Sequence, residues 1–214
     1  MSEREIVDRF HELYYDSKER TWANTRWLGT PTQKCPLDLW VYQELLVKLR
    51  PDLIVETGTA DGGSALYLAS MCDLIGNGRI ISIDIADPGG RPKHDRITYL
   101  LGSSVDPDHV ATVQQAASEA SCVLVILDSD HSERHVMDEL HTYGPLVTLG
   151  SYMIVEDGNV NGRPVLLSHG PGPGEAIDVF LTETKAFEID EECEKFFVTF
   201  NPRGYLRKVA PYIP

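Results

Sequence analysis

The side chains best equipped for chemistry in this 214-residue sequence stand behind two apolar runs. Asp128-Ser129-Asp130-His131 follows Cys122-Val123-Leu124-Val125-Ile126-Leu127, and Glu156-Asp157 follows Tyr152-Met153-Ile154-Val155. If those runs are neighbouring parallel strands, about 4.8 Å apart, their carboxylates meet in one small volume and repel unless a proton or a cation intervenes. A hard divalent cation such as magnesium suits these oxygen donors and keeps positions open for water or a substrate oxygen. Asp128, Asp130, Glu156 and Asp157 are therefore the candidate metal ligands. Asp130 reads equally as a helix N-cap, because a helical pattern begins near Glu133. His131 is the candidate general base, since an imidazole titrating near neutral pH can accept a proton from a metal-polarised hydroxyl; capping the same helix is its other reading. His135 and His141 fit a helix surface.

A second constellation lies upstream. Leu53-Ile54-Val55 runs into Glu56-Thr57-Gly58-Thr59-Ala60-Asp61-Gly62-Gly63-Ser64, whose glycines let the backbone approach a ligand and open a helix with free N–H groups. No Lys-Ser/Thr pair follows, so this is not a Walker loop, and Ala60 stands where a dinucleotide loop carries its second glycine. Glu56 repels a pyrophosphate but attracts an ammonium or a sulfonium. Asp84 ends the next strand, where an acid accepts hydrogen bonds from ribose hydroxyls, and Gly102-Ser103-Ser104 ends the one after. The candidate cofactor-binding residues are Glu56, Gly58, Thr59, Ala60, Gly62, Ser64, Asp84, Ser103, Ser104 and Asp128. The bland alternative is a tight turn, a solvated acid and helix-capping serines.

These groups need a scaffold that brings successive strand ends together. Leu39, Val41, Leu45, Leu46 and Leu49 recur at helical spacing until Arg50-Pro51. Strands are expected at 53–55, 79–85, 97–101, 122–127 and 152–155, with helices at 64–74, 106–120 and 133–147 between them. Alternation of this kind implies a Rossmann-like, doubly wound α/β sheet with helices on both faces, whose ligands lie beyond the carboxyl ends of the strands. Gly158 to Gly174 is a long Gly/Pro/Asn loop of functional character, and a helix at 175–184 follows. Segments 187–190, 196–201 and 204–209 suggest an antiparallel pair at the sheet edge. Residues 1–36, with Tyr14, Tyr15, Trp22 and Trp27, fall outside the repeat and are expected to form a lid or an oligomer surface on a main domain of 37–214.

Composition narrows the partners. Thirty-three acidic against nineteen basic residues give a net charge of −14, a field that repels nucleic acid and anionic membranes. No run approaches the roughly 20 apolar residues of a membrane span, and Met1-Ser2-Glu3-Arg4-Glu5 lacks a signal core, so a cytoplasmic protein is expected. Cys35, Cys72, Cys122 and Cys193 are scattered, which argues against a disulfide scaffold or a thiolate metal site.

In this order, Glu56-x-Gly58-x-x-x-Gly62-Gly63, Asp84, Gly102-Ser103-Ser104 and the acidic fourth strand end resemble a class I S-adenosylmethionine-dependent methyltransferase. Leu127-Asp128-Ser129-Asp130-His131-Ser132 with Ile154-Val155-Glu156-Asp157 further resembles the cephalosporin hydroxylase family, which includes rhamnosyl O-methyltransferases and is similar to metal-dependent macrolide-sugar O-methyltransferases. The resemblance implies about seven strands with the last antiparallel, and a transferase that methylates a hydroxyl of a sugar, glycoside or other natural product. It also implies that Glu56 and the 58–63 turn hold the methionine part of the cofactor, Asp84 the ribose and Ser104 the adenine. Asp128, Glu156 and Asp157 would then bind magnesium, with Asp128 and His131 as the catalytic pair. Asp130 stands where the related sugar enzymes carry a small residue, so the first ligand is either Asp128 or Asp130. A nicotinamide-dependent oxidoreductase and a non-catalytic adenosylmethionine-binding protein are the alternatives: titration with adenosylhomocysteine and with dinucleotide tests the first, and methyl release with a sugar or polyphenol panel tests the second.

Overall fold

The computed structural model describes residues 1–212. In chain order it contains α1 (Glu3–Asp16), a two-stranded hairpin of β1 (Arg26–Trp27) and β2 (Thr30–Pro31), α2 (Pro36–Leu49), β3 (Leu53–Thr57), α3 (Gly63–Ile75), β4 (Arg79–Asp84) and β5 (Ile97–Leu101). There follow α4 (Pro107–Ser118), β6 (Val123–Leu127), α5 (Glu133–Tyr143), β7 (Tyr152–Val155), α6 (Pro173–Glu183), β8 (Phe187–Ile189) and β9 (Tyr205–Lys208). The main sheet has the order β5-β4-β3-β6-β7-β9-β8; β3 to β7 are parallel, and β9 runs antiparallel to both of its neighbours. The doubly wound sheet expected from the alternation of elements is thus present, with the seven strands that the resemblance implies.

Strand order reverses between β3 and β6, where ligands bind in open α/β sheets. Both strands are buried along their whole length, because helices cover each face. Leu53, Val55, Val123, Val125 and Leu127 pack on one side, while Ile54, Leu124 and Ile126 join α2 and α3 on the other. Each such side chain contributes about 1.5–3 kcal/mol by leaving water. Turn chemistry sets the helix ends: Pro36 opens α2, Arg50 closes it in the left-handed region before Pro51, and the Asp106 side chain caps α4. Among the described residues no helix is long and apolar enough to cross a membrane.

Two expectations need correction. Residues 196–201 do not form a strand; they turn back on α2, where buried Asp38 accepts the Thr199 hydroxyl at 2.5 Å and the Phe200 N–H at 2.9 Å. A side chain far away in sequence satisfies these groups better than a ladder would. In addition, Ser132 rather than Asp130 caps α5, accepting from the His135 N–H, and Asp130 instead accepts from the Ser132 N–H at 2.8 Å.

The first 35 residues pack against α3 and against loop residues such as Asn159, Val165 and Phe200. Tyr15, Cys35, Val165 and Phe200 form a small core with Trp22. The hairpin lies against the start of α3 so closely that a Cβ on Gly63 would fall 2.1 Å from the Pro31 carbonyl oxygen. His11 stacks on Phe200, with ring centroids 5.7 Å apart, and meets the Asn159 amide at 2.9 Å. Burial pushes the His11 pKa down to about 4, against weaker opposing fields from Asp8 and Asp16. A histidine depressed in the folded state stabilises above its unfolded pKa near 6.5, and that contribution disappears as pH falls toward 4. Acidification from pH 7 to 4.5 should therefore destabilise wild type more than His11→Gln, by about 2.5 kcal/mol in urea unfolding. Equal losses in the two proteins would show that His11 is not the acid-sensitive group.

Candidate active site

The cleft lies where the sequence pattern placed it, above the carboxyl ends of β3, β4, β5, β6 and β7. Two adjoining cavities of about 240 and 330 Å³ share Gly58, Asp84 and Ser129 as a common wall. Ile83, Gly102, Ser103, Ser104 and His135 line the first, together with Asp130. Thr59, Ala60, Ser64, Asp128, His131 and Asp157 line the second, which Tyr15, Trp22 and Gln33 close from the N-terminal segment.

The turn after β3 is shaped by its glycines and by Asp84. Gly58 has φ +84°, and Gly62, at φ +82°, immediately precedes α3. Asp84 Oδ2 accepts from the N–H groups of Thr59 at 2.9 Å and Ala60 at 2.8 Å, while Oδ1 accepts from Ala86 at 2.9 Å. The same carboxylate lines both cavities, so it pins the turn and remains beside the space a ribose would fill. Glu56 is placed differently from the expectation. It is fully buried, bonds Ser82 Oγ at 2.5 Å through Oε2, and lines neither cavity; Ser64 faces the cleft instead. Its Oε1 is buried without a partner, and burial holds its pKa above the usual carboxylate range. Beside the first cavity, Ser104 Oγ meets His135 Nε2 at 3.1 Å, and Ser129 Oγ donates to Glu139 at 2.7 Å.

At the tips of β6 and β7, Asp128, His131 and Asp157 offer ligand atoms within 4.8 Å of one another. His131 Nε2 lies 3.2 Å from Asp157 Oδ2, and Asp157 holds φ +54°, a strained conformation of the kind found at functional sites. Glu156, the preceding residue, points the other way. Its Oε1 accepts from Tyr42 OH at 2.8 Å and from Lys34 Nζ at 2.7 Å, and Lys34 Nζ also binds Asp128 Oδ2. Asp130 stands apart from this cluster, on the first cavity.

The donor set fits a divalent cation. Asp128, Glu156 and Asp157 all have raised pKa values, first because of burial, with mutual repulsion adding to it. Asp128 and Glu156 share one ammonium, while Asp157 faces only the His131 imidazole, so carboxylates outnumber fixed positive charges. Burial lowers the His131 pKa, but Asp157 and Asp128 outweigh it and the net shift is upward, the response of an imidazole in a site short of positive charge.

Lys34 and Tyr42 were missed by sequence reasoning. Tyr42 sits on the helical face that includes Leu45 and Leu46, where it reads as core; Lys34 precedes a Pro-initiated helix and carries no local signal at all.

A family described as Rhamnosyl O-methyltransferase/CmcI matches residues 19–209 of this chain. Proteins named rhamnosyl O-methyltransferase are 37% identical over 209 residues, 94% of this chain. The protein from Mycobacterium tuberculosis (strain ATCC 25618 / H37Rv) is covered over 84% of its length and that from Mycobacterium leprae (strain TN) over 90%. A solved CmcI structure with magnesium and SAM superposes at a TM-score of 0.67 with 24% identity, covering 88% of this chain and 78% of that one. A Corynebacterium glutamicum protein shares the fold at a TM-score of 0.57 with 13% identity, over 96% of this chain and 99% of its own.

Proposed function

The chain belongs to the rhamnosyl O-methyltransferase/CmcI family, and from that premise we propose that it is an S-adenosylmethionine-dependent O-methyltransferase acting on a hydroxyl of a sugar or glycosylated natural product with the help of a divalent cation. The observation that carries this reading is the junction of two chemistries in one cleft: a glycine turn held by Asp84 beside a cluster of Asp128, His131 and Asp157. When bound, adenosylmethionine would supply a methyl group on a sulfonium, and a magnesium-like ion would lower the pKa of the acceptor hydroxyl and fix its oxygen.

The residues of the chain do the rest. Asp84 orders the turn and leaves carboxylate edge toward the ribose position, while Ser103, Ser104 and His135 border the base. Asp128 and Asp157 are the side chains that would hold the ion, beside His131 and with Glu156 anchored behind them on Tyr42 and Lys34. His131, whose Nε2 rests against Asp157, is the side chain that would take the hydroxyl proton. Tyr15 and Trp22 wall the acceptor side, where aromatic faces suit the apolar face of a pyranose and exclude water.

The test is methyl transfer from labelled adenosylmethionine to a panel of rhamnosides and other glycosides, with and without chelator. The expected result is chelator-sensitive transfer to a glycoside hydroxyl. Full activity in chelator would remove the cation from the reading, and binding of adenosylhomocysteine without any turnover across the panel would favour a binding protein.

A further inference from the structure

The least expected group in the cleft is a buried ammonium. The Lys34 side chain is 5% exposed, and its Nζ reaches Asp128 Oδ2 and, at 2.7 Å, Glu156 Oε1. Those two carboxylates belong to different strands, so the lysine bridges the tips of β6 and β7. It arrives on a clamped segment. The Lys34 N–H donates to Thr25 Oγ1 at 3.2 Å, Thr25 Oγ1 donates to the Lys34 carbonyl at 3.3 Å, and Gln33 bonds Asp61 at 3.2 Å. Behind it, the Pro31 carbonyl rests where a Cβ of Gly63 would lie. Glu156 is fixed from its other side by Tyr42 OH, which accepts from Asn201 Nδ2 at 3.0 Å.

We propose that Lys34 is a tethered counter-cation, braced on Glu156, that competes with the divalent ion for Asp128 and opposes its binding, keeping the carboxylates together when the ion is absent and limiting affinity when it is present. The proposal rests on the metal reading above. Two contrary effects decide its sign. Removing a lysine that only preorganises donors would weaken metal binding, because freed carboxylates spread apart. Removing one that competes must tighten it, because a fixed positive charge beside a dication is repulsive at every separation and strongest where water is excluded. Here the Asp128 backbone is tied to β3 through its N–H on Thr57 and Glu156 is held by Tyr42, so the site keeps its shape without the lysine and the lysine's repulsion of the dication prevails.

The test is Mn²⁺ binding to the full-length, metal-stripped protein, followed by electron paramagnetic resonance, together with melting in the presence and absence of Mn²⁺. Lys34→Met should bind Mn²⁺ at least about tenfold more tightly than wild type, while Lys34→Arg stays within about threefold. Metal-free Lys34→Met should melt below wild type and gain more from Mn²⁺. Should Lys34→Met fail to fold without metal, Glu156→Gln and Lys34→Met/Glu156→Gln serve instead. The single change leaves the lysine uncompensated and should weaken Mn²⁺ binding, and the double change should restore at least about tenfold of it. Unchanged or weaker binding in Lys34→Met, or no recovery in the double variant, overturns the proposal. If wild type binds Mn²⁺ and Asp157→Asn does not, that failure concerns Lys34 alone. If no variant binds Mn²⁺, the metal reading falls with it.

Discussion

Asp157→Asn should lower methyl transfer at least about a thousandfold while adenosylhomocysteine still binds within about threefold of wild type. Asparagine is isosteric and tolerates the left-handed backbone that Asp157 adopts at φ +54°, so the loop has no reason to refold. What is lost is charge. One of three convergent donors becomes neutral, and the carboxylate 3.2 Å from His131 Nε2 disappears, so cation binding and orientation of the base fail together. Cation activation of a hydroxyl is worth several kcal/mol and general-base assistance about 10²–10⁴-fold, so a thousandfold loss is the lower bound of the combination. Asp130→Asn is the matched control. Its carboxylate accepts from the Ser132 N–H and borders the smaller cavity, so turnover should stay within about threefold and any change should appear in cofactor affinity. Kinetics, Mn²⁺ titration and calorimetry with adenosylhomocysteine on both variants decide the matter. If Asp130→Asn is the inactive protein and Asp157→Asn the active one, the donors have been assigned to the wrong turn of chain.

That pair of variants also marks how far the sequence could be read. Strands β3, β4, β5, β6 and β7 were legible because runs such as Val123–Leu127 are apolar on both faces, and the glycine turn because no side chain can replace Gly58 there. The tips of β6 and β7 were legible as acidic, but the direction of each acid was not. Glu156 and Asp157 stand just past the end of β7, where Asp157 turns left-handed at φ +54°, and their side chains part, one to Lys34 and Tyr42 and the other to His131. Beyond Leu127 the chain leaves strand geometry, periodicity lapses, and the choice between Asp128 and Asp130 rests on turn hydrogen bonds that no pattern encodes. Lys34 meets Asp128 across 94 positions, a separation at which only the folded chain can reveal a partner. The segment 196–201 misled because its apolar residues satisfy alternation while their backbone is taken up by Asp38.

Gly58→Ala should be the most damaging single change of the cleft, because it acts on both halves at once. A Cβ at this position would lie 1.8 Å from the Asp128 carbonyl oxygen and 2.5 Å from its carbonyl carbon, and the backbone holds φ +84°. Left-handed strain of about 1–2 kcal/mol adds to overpacking of about 1–3 kcal/mol against backbone that has no rotamer to yield. A total near 3 kcal/mol corresponds to a melting temperature lower by roughly 6–12 °C for a chain of this size. The functional loss should exceed the loss of stability. The atom displaced is the carbonyl of Asp128, whose side chain belongs to the acidic cluster, and the turn displaced is the one that Asp84 holds open through the Thr59 and Ala60 N–H groups. Adenosylhomocysteine affinity should fall at least about a hundredfold, in line with losses of about 2.7 kcal/mol, and Mn²⁺ affinity should fall with it, whereas Asp157→Asn separates the two. Gly76→Ala supplies the comparison: φ is +69° but nothing lies within 4 Å of its Cβ position, so it should cost about 1–2 kcal/mol of stability and leave both affinities unchanged. If Gly58→Ala binds both ligands as wild type does, the close packing of the β3 turn against the β6 tip is not what couples the cofactor cleft to the acidic cluster.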